Sequence, residues 1–596
     1  MPISIELASR PGLVRATVFA AALAMVLGAC STLERPAFQD PREVENEDGG
    51  TAPPPLSEVS CGCSADGRSV VRCDGSILTE CGVAGCHDGS CAPDLCEAAK
   101  AKQSSEGCAF YTTVPDAYLG AQGCFAVFLN NTTPHPAEVR LRYGALELDG
   151  RKFVYVPEGS GSAVRYTELP DGRIPPSTLA IAFLAGPHGF VPGTGPSAQE
   201  YRPCPAEPAV KATSSQPRDT GPGLAFVITT TQPVGASDIY PYGGADSYVT
   251  GASTLLPINA WGTKYLTAVA GGAAPITERS WLDLVAEVDT AVTMRPLARR
   301  LPGAGTVPPL AIGQAHTIQL RAGEVHHLVQ PVDLSAVALT SEQPFMAIAG
   351  TRCWGAPCDA SHQQLVPVPA LGSEYVAVGH RDRVPAANET HAFRVIGAVD
   401  GTTLTYLPAP PEGAPATLDL GSDVIIESRT PFVVRSQDSA HPFYVAEYMT
   451  GCLTVDPSAE HGCPGDPEFT SLVPPEQLAQ SYVFFSDPTY PTTHLVVVRV
   501  RAASGAFEDV ELDCAGALDG WSPLGDRYEY TRLDLVTGGV DQGACRNGRH
   551  EIASKAPFGV TVWGWGSGVG KGGTGCTSYA LPAAVGLRPI NQADVH

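Results

Sequence analysis

The sequence predicts an all-β protein. Its body reads as a closed, β-propeller-like ring of about seven or eight blades, made from four units of about 108 residues and preceded by a small disulfide-rich module. Three observations carry this. A Ser-x-x-Pro-Phe phrase recurs as "SEQPF" (Ser341–Phe345), "SRTPF" (Ser428–Phe432) and "SKAPF" (Ser554–Phe558), with a weaker echo "TTQPV" (Thr230–Val234). A second phrase, "LLPINAWGTKY", "LVPVPALGSEY" and "LVPPEQLAQSY", places Pro257, Pro367 and Pro474 at even spacing. Each is followed at +5 by Gly262, Gly372 or Ala479 and at +8 by Tyr265, Tyr375 or Tyr482; "YALPAAVG" repeats the start of the phrase at Pro582, so the prolines stand 110, 107 and 108 residues apart. Finally, 63 Gly and 54 Pro with only 17% charged residues favour many turns and few long helices. The alternative is a string of tandem β-sandwiches of about 100 residues each.

The elements follow in chain order. Residues 1–29 read as a lipoprotein signal peptide: Arg10 and Arg15 precede the apolar run Ala16–Leu27, which is too short to span a membrane. "LGAC", Leu27–Cys30, resembles the bacterial lipobox, whose cysteine carries acyl chains after processing. Cys30 is thus the expected lipidation site, and the membrane is a partner through that anchor. Ser31 and Thr32 follow, with no Asp to retain the protein at the inner membrane. The expected location is the outer membrane, at the cell surface or on the periplasmic leaflet. Residues 30–60 are acidic and Pro-rich, the composition of a flexible tether.

Residues 61–104 form the disulfide-rich module. Cys61, Cys63, Cys73, Cys81, Cys86, Cys91 and Cys96 fall within 36 residues, and so short a segment buries little apolar surface. An exported compartment favours disulfides over zinc; His87 is the sole histidine there and no paired CxxC spacing accompanies it. Cys108 is the eighth candidate. In the body, Cys353 with Cys358 and Cys452 with Cys463 read as local clips, and Cys514 and Cys545 are further disulfide candidates.

The body spans residues 105–590. "WLDLVAEVDTAVTMRP", "FRVIGAVDGTTLTYLP" and "VVVRVRAASGAFEDVELD" each read as strand, tight turn, strand, and "VDGTT" carries a hairpin signal. Proline in the Pro-Phe phrase suits a strand start or a sheet edge, with the following residue turning into the core. The first unit has Gly107 and Phe110 in place of the Gly-x-x-Tyr pair but lacks the preceding Leu-Pro strand, whereas "TSYALPAA" is such a strand with no unit after it. Ring closure follows: the last strand supplies what the first unit lacks, which removes exposed sheet edges.

Net charge is −24, so nucleic acid is not an expected partner. No nucleophile elbow, phosphate-binding loop, H-E-x-x-H or EF-hand loop is written, and no cofactor or metal is expected. "GHRDRVPAANETH" gathers His380, Asp382, Glu389 and His391, and reads as a polar loop; "GWGSGVGKGGTG" reads as a surface loop. The irregular connections that precede each Leu-Pro strand would emerge on one face of a ring. They carry Tyr240, Tyr242, Trp354, Tyr448 and Trp565, candidate ligand-contacting aromatics; Trp563 continues the strand alternation and reads as packing.

The Leu-Val-Pro…Gly-x-x-Tyr phrase, "VIGAVDGTTLTYLP" and the Ser-x-x-Pro-Phe phrase closing with "PFGVTVWGWG" resemble the IgGFc-binding protein N-terminal domain family over most of residues 105–590. The resemblance implies an extracellular binding or adhesion role. The expected function is therefore a lipid-anchored, non-catalytic envelope protein recognising glycan or protein ligands. The alternatives are a hydrolase with a site in the central channel, for which His380 and Asp382 are the pair to mutate, and a structural envelope scaffold.

Overall fold

The computed structural model describes residues 62–595 apart from 65–68, 82–85, 88, 92–93, 118–122, 188–202, 212–218, 244–248, 272–278, 356–358, 386–387 and 567–576. Cys30, Cys61 and Cys358, the signal peptide and the tether lie outside these residues.

Four repeats share one plan, clearest in the second. An entry strand (Gly262–Leu266) and a strand at Thr290–Pro296 pair with the first part of a long strand, Val337–Trp354. A strand at Ser280–Ala286 and a closing strand, Asp359–Gln364, pair with its second part. The long strand changes partners at Ser-x-x-Pro-Phe. Its pairing with the entry strand skips there, from Thr340 to Phe345. The same skip occurs from Thr229 to Val234 in the first repeat and from Ala553 to Phe558 in the fourth. Proline, lacking an amide donor, thus sits mid-strand where the ladder is interrupted and not at a strand start. The residue after it turns inward: Val234, Phe345 and Phe558 are fully buried. Each repeat curls about such a strand, and its core lies inside the curl; in the second repeat Leu282, Leu284, Met294 and Phe345 fill it.

The third repeat corrects the phrase assignment. There the long strand is broken into Phe432–Arg435 and Phe443–Met449, and the partner change falls between them. Its Ser-x-x-Pro-Phe is therefore "SAHPF", Ser439–Phe443, and not "SRTPF". The tight turns are also not hairpins. Ser280–Ala286 and Thr290–Pro296 pair with opposite ends of the long strand and not with each other, so the turn between them is a corner joining two halves of a curled sheet. The "VDGTT" turn does likewise, linking His391–Gly397 to short strands on the other side, with Gly401 at φ +69°.

The recurring Tyr and Gly each have a structural job. The Tyr265 hydroxyl accepts the Gly262 N–H at 2.8 Å and donates to the Phe345 carbonyl at 2.7 Å. Tyr375 does the same between Gly372 and Phe443, and Tyr482 between Ala479 and Phe558. The tyrosine thus ties the entry strand to the partner-change point. The glycine receives the proline that opens the next phrase: a Cβ at Gly107, Gly262 or Gly372 would stand 2.4, 2.4 or 2.3 Å from Cβ of Pro257, Pro367 or Pro474. Both are rigid groups, so Gly372→Ala is expected to destabilise the protein by about 1–3 kcal/mol. Thermal unfolding checks this; an unchanged midpoint would show that the seam gives way freely.

The four repeats close into a cycle. The closing strands Gly251–Leu255, Asp359–Gln364, Glu468–Ser471 and Ser578–Pro582 lie next to one another in that cyclic order. The Gln363 amide donates to the carbonyls of Ala252 (2.8 Å) and Phe469 (3.0 Å), and the Asp466 N–H donates to Ser578 Oγ (2.7 Å). The fourth repeat returns to the first: Phe128 stacks on Phe485 at 4.1 Å, Asn130 Nδ2 donates to the Val483 carbonyl, and both repeats share one apolar core containing Phe128, Phe183, Val497 and Leu581.

Two expectations change in detail. The strand at Ser578–Pro582 pairs with its own long strand, as the closing strand does in every repeat, and is not lent to the first. Closure instead comes from the shared core and from residues 583–595. Val585 exchanges hydrogen bonds with Ser105, and Leu587 donates to the Gln103 carbonyl. Asn591 Nδ2 then reaches the Val368 and Leu371 carbonyls, and Asp594 pairs with Lys264 at 3.1 Å. Strand pairing also groups into one curled sheet in the first, second and fourth repeats, with the third split into three, and not into paired four-stranded blades. The body is all-β; the one regular helix longer than a turn among the described residues, Leu95–Lys102, lies in the Cys-rich module and is tied to the first entry strand by Cys96–Cys108. That module also holds Cys63–Cys86 and Cys81–Cys91, and Cys73 is disulfide-bonded.

Candidate functional site

The closing strands begin together at Gly251, Asp359, Glu468 and Ser578, and end together at the prolines. The described ends of the irregular connections therefore lie at one end of the cycle, and residues 583–595 cross the other. The aromatics of those connections do not face solvent. Tyr240 packs on Phe125, and Tyr242 lies among Phe128, Phe183 and Tyr166. Trp354 meets Tyr448 edge-on at 5.4 Å across a repeat boundary, and the Tyr448 hydroxyl donates to the Val269 carbonyl. Trp565 sits under the Arg381 guanidinium and beside His380 and His494. All five are at most 6% exposed, and Trp563 is fully buried. They end the long strands, where Tyr240 packs in the core of its own repeat and Tyr242, Trp354, Tyr448 and Trp565 pack at seams between repeats.

A cavity of about 350 Å³ lies on the third repeat, lined by Glu389, Thr390, Glu427, Arg429, Thr450 and Thr454. Beside it the short helix Cys452–Val455 is pinned by the Cys452–Cys463 disulfide, and Cys353 is disulfide-bonded in the connection of the second repeat. Behind the cavity the loop 379–391 folds inward. Its Arg383 is buried and forks onto Glu389, which burial would raise but which that guanidinium holds down at about 2. His380 and His391 meet edge-on at 4.6 Å, and Glu447, from the long strand, completes the group. Asp382 stands apart from them, accepting the Glu389 N–H. Burial holds His380 well below the usual imidazole range and His391 at about 4, and pushes Glu447 up to about 8. A Cβ on Gly379 would lie 2.3–2.5 Å from the His391 ring, so only glycine lets that ring in. A second grouping, Asp513, Cys514 and His550, offers no thiolate, because Cys514 is bonded to Cys545.

The centre of this end is acidic. Asp359, Asp466 and Glu468 are fully buried, and burial raises all three well above the carboxylate range, with Asp466 and Glu468 adding to the rise at Asp359. Between the fourth and first repeats, Asp487 is also buried beside Tyr242, Tyr490 and Tyr579, and burial pushes it up to about 6. Its protonated form is thus favoured in the fold. The associated stability is complete below the unfolded value near 4 and is lost as pH rises through about 6. Asp487→Asn keeps an acceptor for the Thr489 N–H and hydroxyl while removing the charge. The variant's stability relative to wild type is expected to grow between pH 4 and 6 and level off above, by up to roughly 3 kcal/mol. Denaturant unfolding at both pH values checks this; a pH-independent difference would show that Asp487 is not the titrating group.

A family profile described as "IgGFc binding protein" matches residues 251–564, from the first closing strand to the last long strand. No curated protein and no solved structure matches the chain.

Proposed function

The chain belongs to the IgGFc-binding protein family, and from that premise we propose that it is an extracellular binding protein, held at the outer membrane by acyl chains on Cys30, which engages a protein or glycan ligand and catalyses no reaction. The carrying observation is that the four long strands end, and the four closing strands begin, at one end of a closed cycle, with a disulfide-pinned loop and an open polar cavity there. Loops held by a rigid scaffold are where binding surfaces are usually built. A hydrolytic reading would use the central carboxylates or His380, but these are sealed beneath backbone and side chains, and Asp382 does not face His380's free nitrogen.

The test is a screen of residues 31–596 against envelope proteins, immunoglobulin Fc and a glycan array. It is paired with a variant in which Glu427→Lys and Arg429→Glu reverse the charge at the cavity mouth. Binding that the variant loses by tenfold or more supports the reading; no ligand in any screen, or binding indifferent to this end of the cycle, overturns it. Anchoring is tested separately: Cys30→Ser should move the protein from the membrane to the soluble fraction.

A further inference from the structure

We propose that His380, His391 and Glu447 bind a divalent transition metal of the zinc type, which fastens the 379–391 loop to the long strand of the third repeat. One ligand atom from each residue lies within 4.8 Å of the others, and all three side chains are buried. His391 Nδ1 stands 3.9 Å from Glu447 Oε1. Four-coordinate zinc with nitrogen and oxygen ligands at about 2.0–2.2 Å holds them about 3.3–3.6 Å apart, so the His391–Glu447 pair closes by about half an ångström and the widest pair by about an ångström, a rotamer adjustment.

The decisive feature is what the imidazoles lack. His380 Nδ1 is 2.8 Å from the Arg381 carbonyl, so that nitrogen carries the proton, and Nε2 presents a lone pair. Neither His380 Nε2 nor His391 Nδ1 has a hydrogen-bond partner. A buried lone pair on His380 Nε2, with only the Glu389 carboxylate near it at 3.7 Å, and a partnerless His391 Nδ1 are an expensive arrangement unless something accepts electrons from them. A divalent cation does so. The backbone carbonyl holding the remote nitrogen of His380 is the outer contact that metal-bound histidines usually show, since it fixes the tautomer and the ring plane. Of the neighbouring cations, Arg383 is occupied by its two-pronged bond to Glu389, and Arg532 Nε donates to the Gly379 carbonyl. Two imidazoles with one carboxylate suit zinc, cobalt or nickel better than calcium or magnesium, which favour all-oxygen sets.

The experiment uses the whole exported chain, residues 31–596, freed of metal by dialysis against a chelator and titrated with Co²⁺ and then Zn²⁺. A visible d–d spectrum that saturates at one Co²⁺ per chain and is displaced by Zn²⁺, with a rise in unfolding temperature on adding Zn²⁺, supports the site. His391→Asn and Glu447→Gln should each weaken binding by at least ~10–100-fold, the loss that even an outer-contact change brings, while His461→Asn should not. X-ray absorption at the zinc edge on the wild-type protein is independent of how the variants fold. It should show two imidazoles and light-atom ligands only. A featureless Co²⁺ titration, sulfur in the zinc shell, or a spectrum that survives both variants would overturn the proposal.

Discussion

Arg394→Met should destabilise the protein by about 3–5 kcal/mol, because it removes one side of a buried ion network and strands the rest. Arg394 is 2% exposed and lies on the boundary between the second and third repeats. Its Nη1 donates to the Val269 (2.9 Å) and Gly271 (3.2 Å) carbonyls, its Nε to Asp423 (2.7 Å), and its Nη2 to both Asp333 (2.7 Å) and Asp423 (2.6 Å). Arg299 also bonds Asp333 and Asp423 but is about one-third exposed. It is too far out to neutralise both carboxylates alone. Without Arg394, Asp423 is left buried with Arg299 as its remaining ion-pair partner, the Gly271 carbonyl loses its donor, and the Val269 carbonyl keeps only the Tyr448 hydroxyl. Denaturant unfolding measures the loss. A double substitution that adds Asp423→Asn should be less damaging than the sum of the two single changes. A loss under about 1 kcal/mol would mean that water or Arg299 replaces the guanidinium.

The second large effect is expected from Cys124→Ala with Cys204→Ala. This disulfide spans 80 residues, far more than the 10–31 of the other described bridges. It lies inside the core shared by the first and fourth repeats. Releasing so long a loop is expected to lower stability by about 2–5 kcal/mol. The loss should be concentrated at the seam where the cycle closes, and hydrogen exchange of residues 124–131 and 479–486 reports it there. Uniform change across all four repeats would show that the bridge stabilises the chain generally and not that seam.

Arg394, Cys124 and Cys204 escaped the sequence, for the same reason that the periodic features did not. Gly262, Gly372 and the three tyrosines do identical work in successive repeats, so they recur at fixed offsets and could be read without coordinates. The seams are each solved differently. Arg394 joins two aspartates in one, Arg352 with Asp116 and His327 with Asp283 lie in another, and Arg381 with Asp534 in a third. No spacing announces a contact that is used once. Cys124 and Cys204 likewise lack a near neighbour to suggest a pair. The third repeat misled because it contains two Pro-Phe pairs; Val234, Phe345, Phe443 and Phe558 recur at intervals of 111, 98 and 115 residues, whereas Phe432 would give 87 and 126, and that evenness was the available signal. The aromatics of the connections were placed correctly along the chain but on the wrong side of it. Tyr240 faces its own repeat's core, whereas Tyr242, Trp354, Tyr448 and Trp565 face the neighbouring repeat, and only the cycle reveals that a neighbour is there. Of the metal-type cluster, the two histidines were visible within one loop; Glu447 comes from another strand, and its approach depends on the fold.

The crossing segment 583–595 has a consequence for how the protein matures. It follows all four repeats in the chain, yet its partners include Gln103 and Ser105 beside the first of them. Contacts between such distant parts of a polypeptide form slowly. During folding the earlier repeats can therefore join their neighbours through their own contacts, but the link that this stretch makes back to the first repeat forms only once it has emerged. A chain that stops short of this stretch would lack the hydrogen bonds to Gln103 and Ser105 and leave that flank of the first repeat bare.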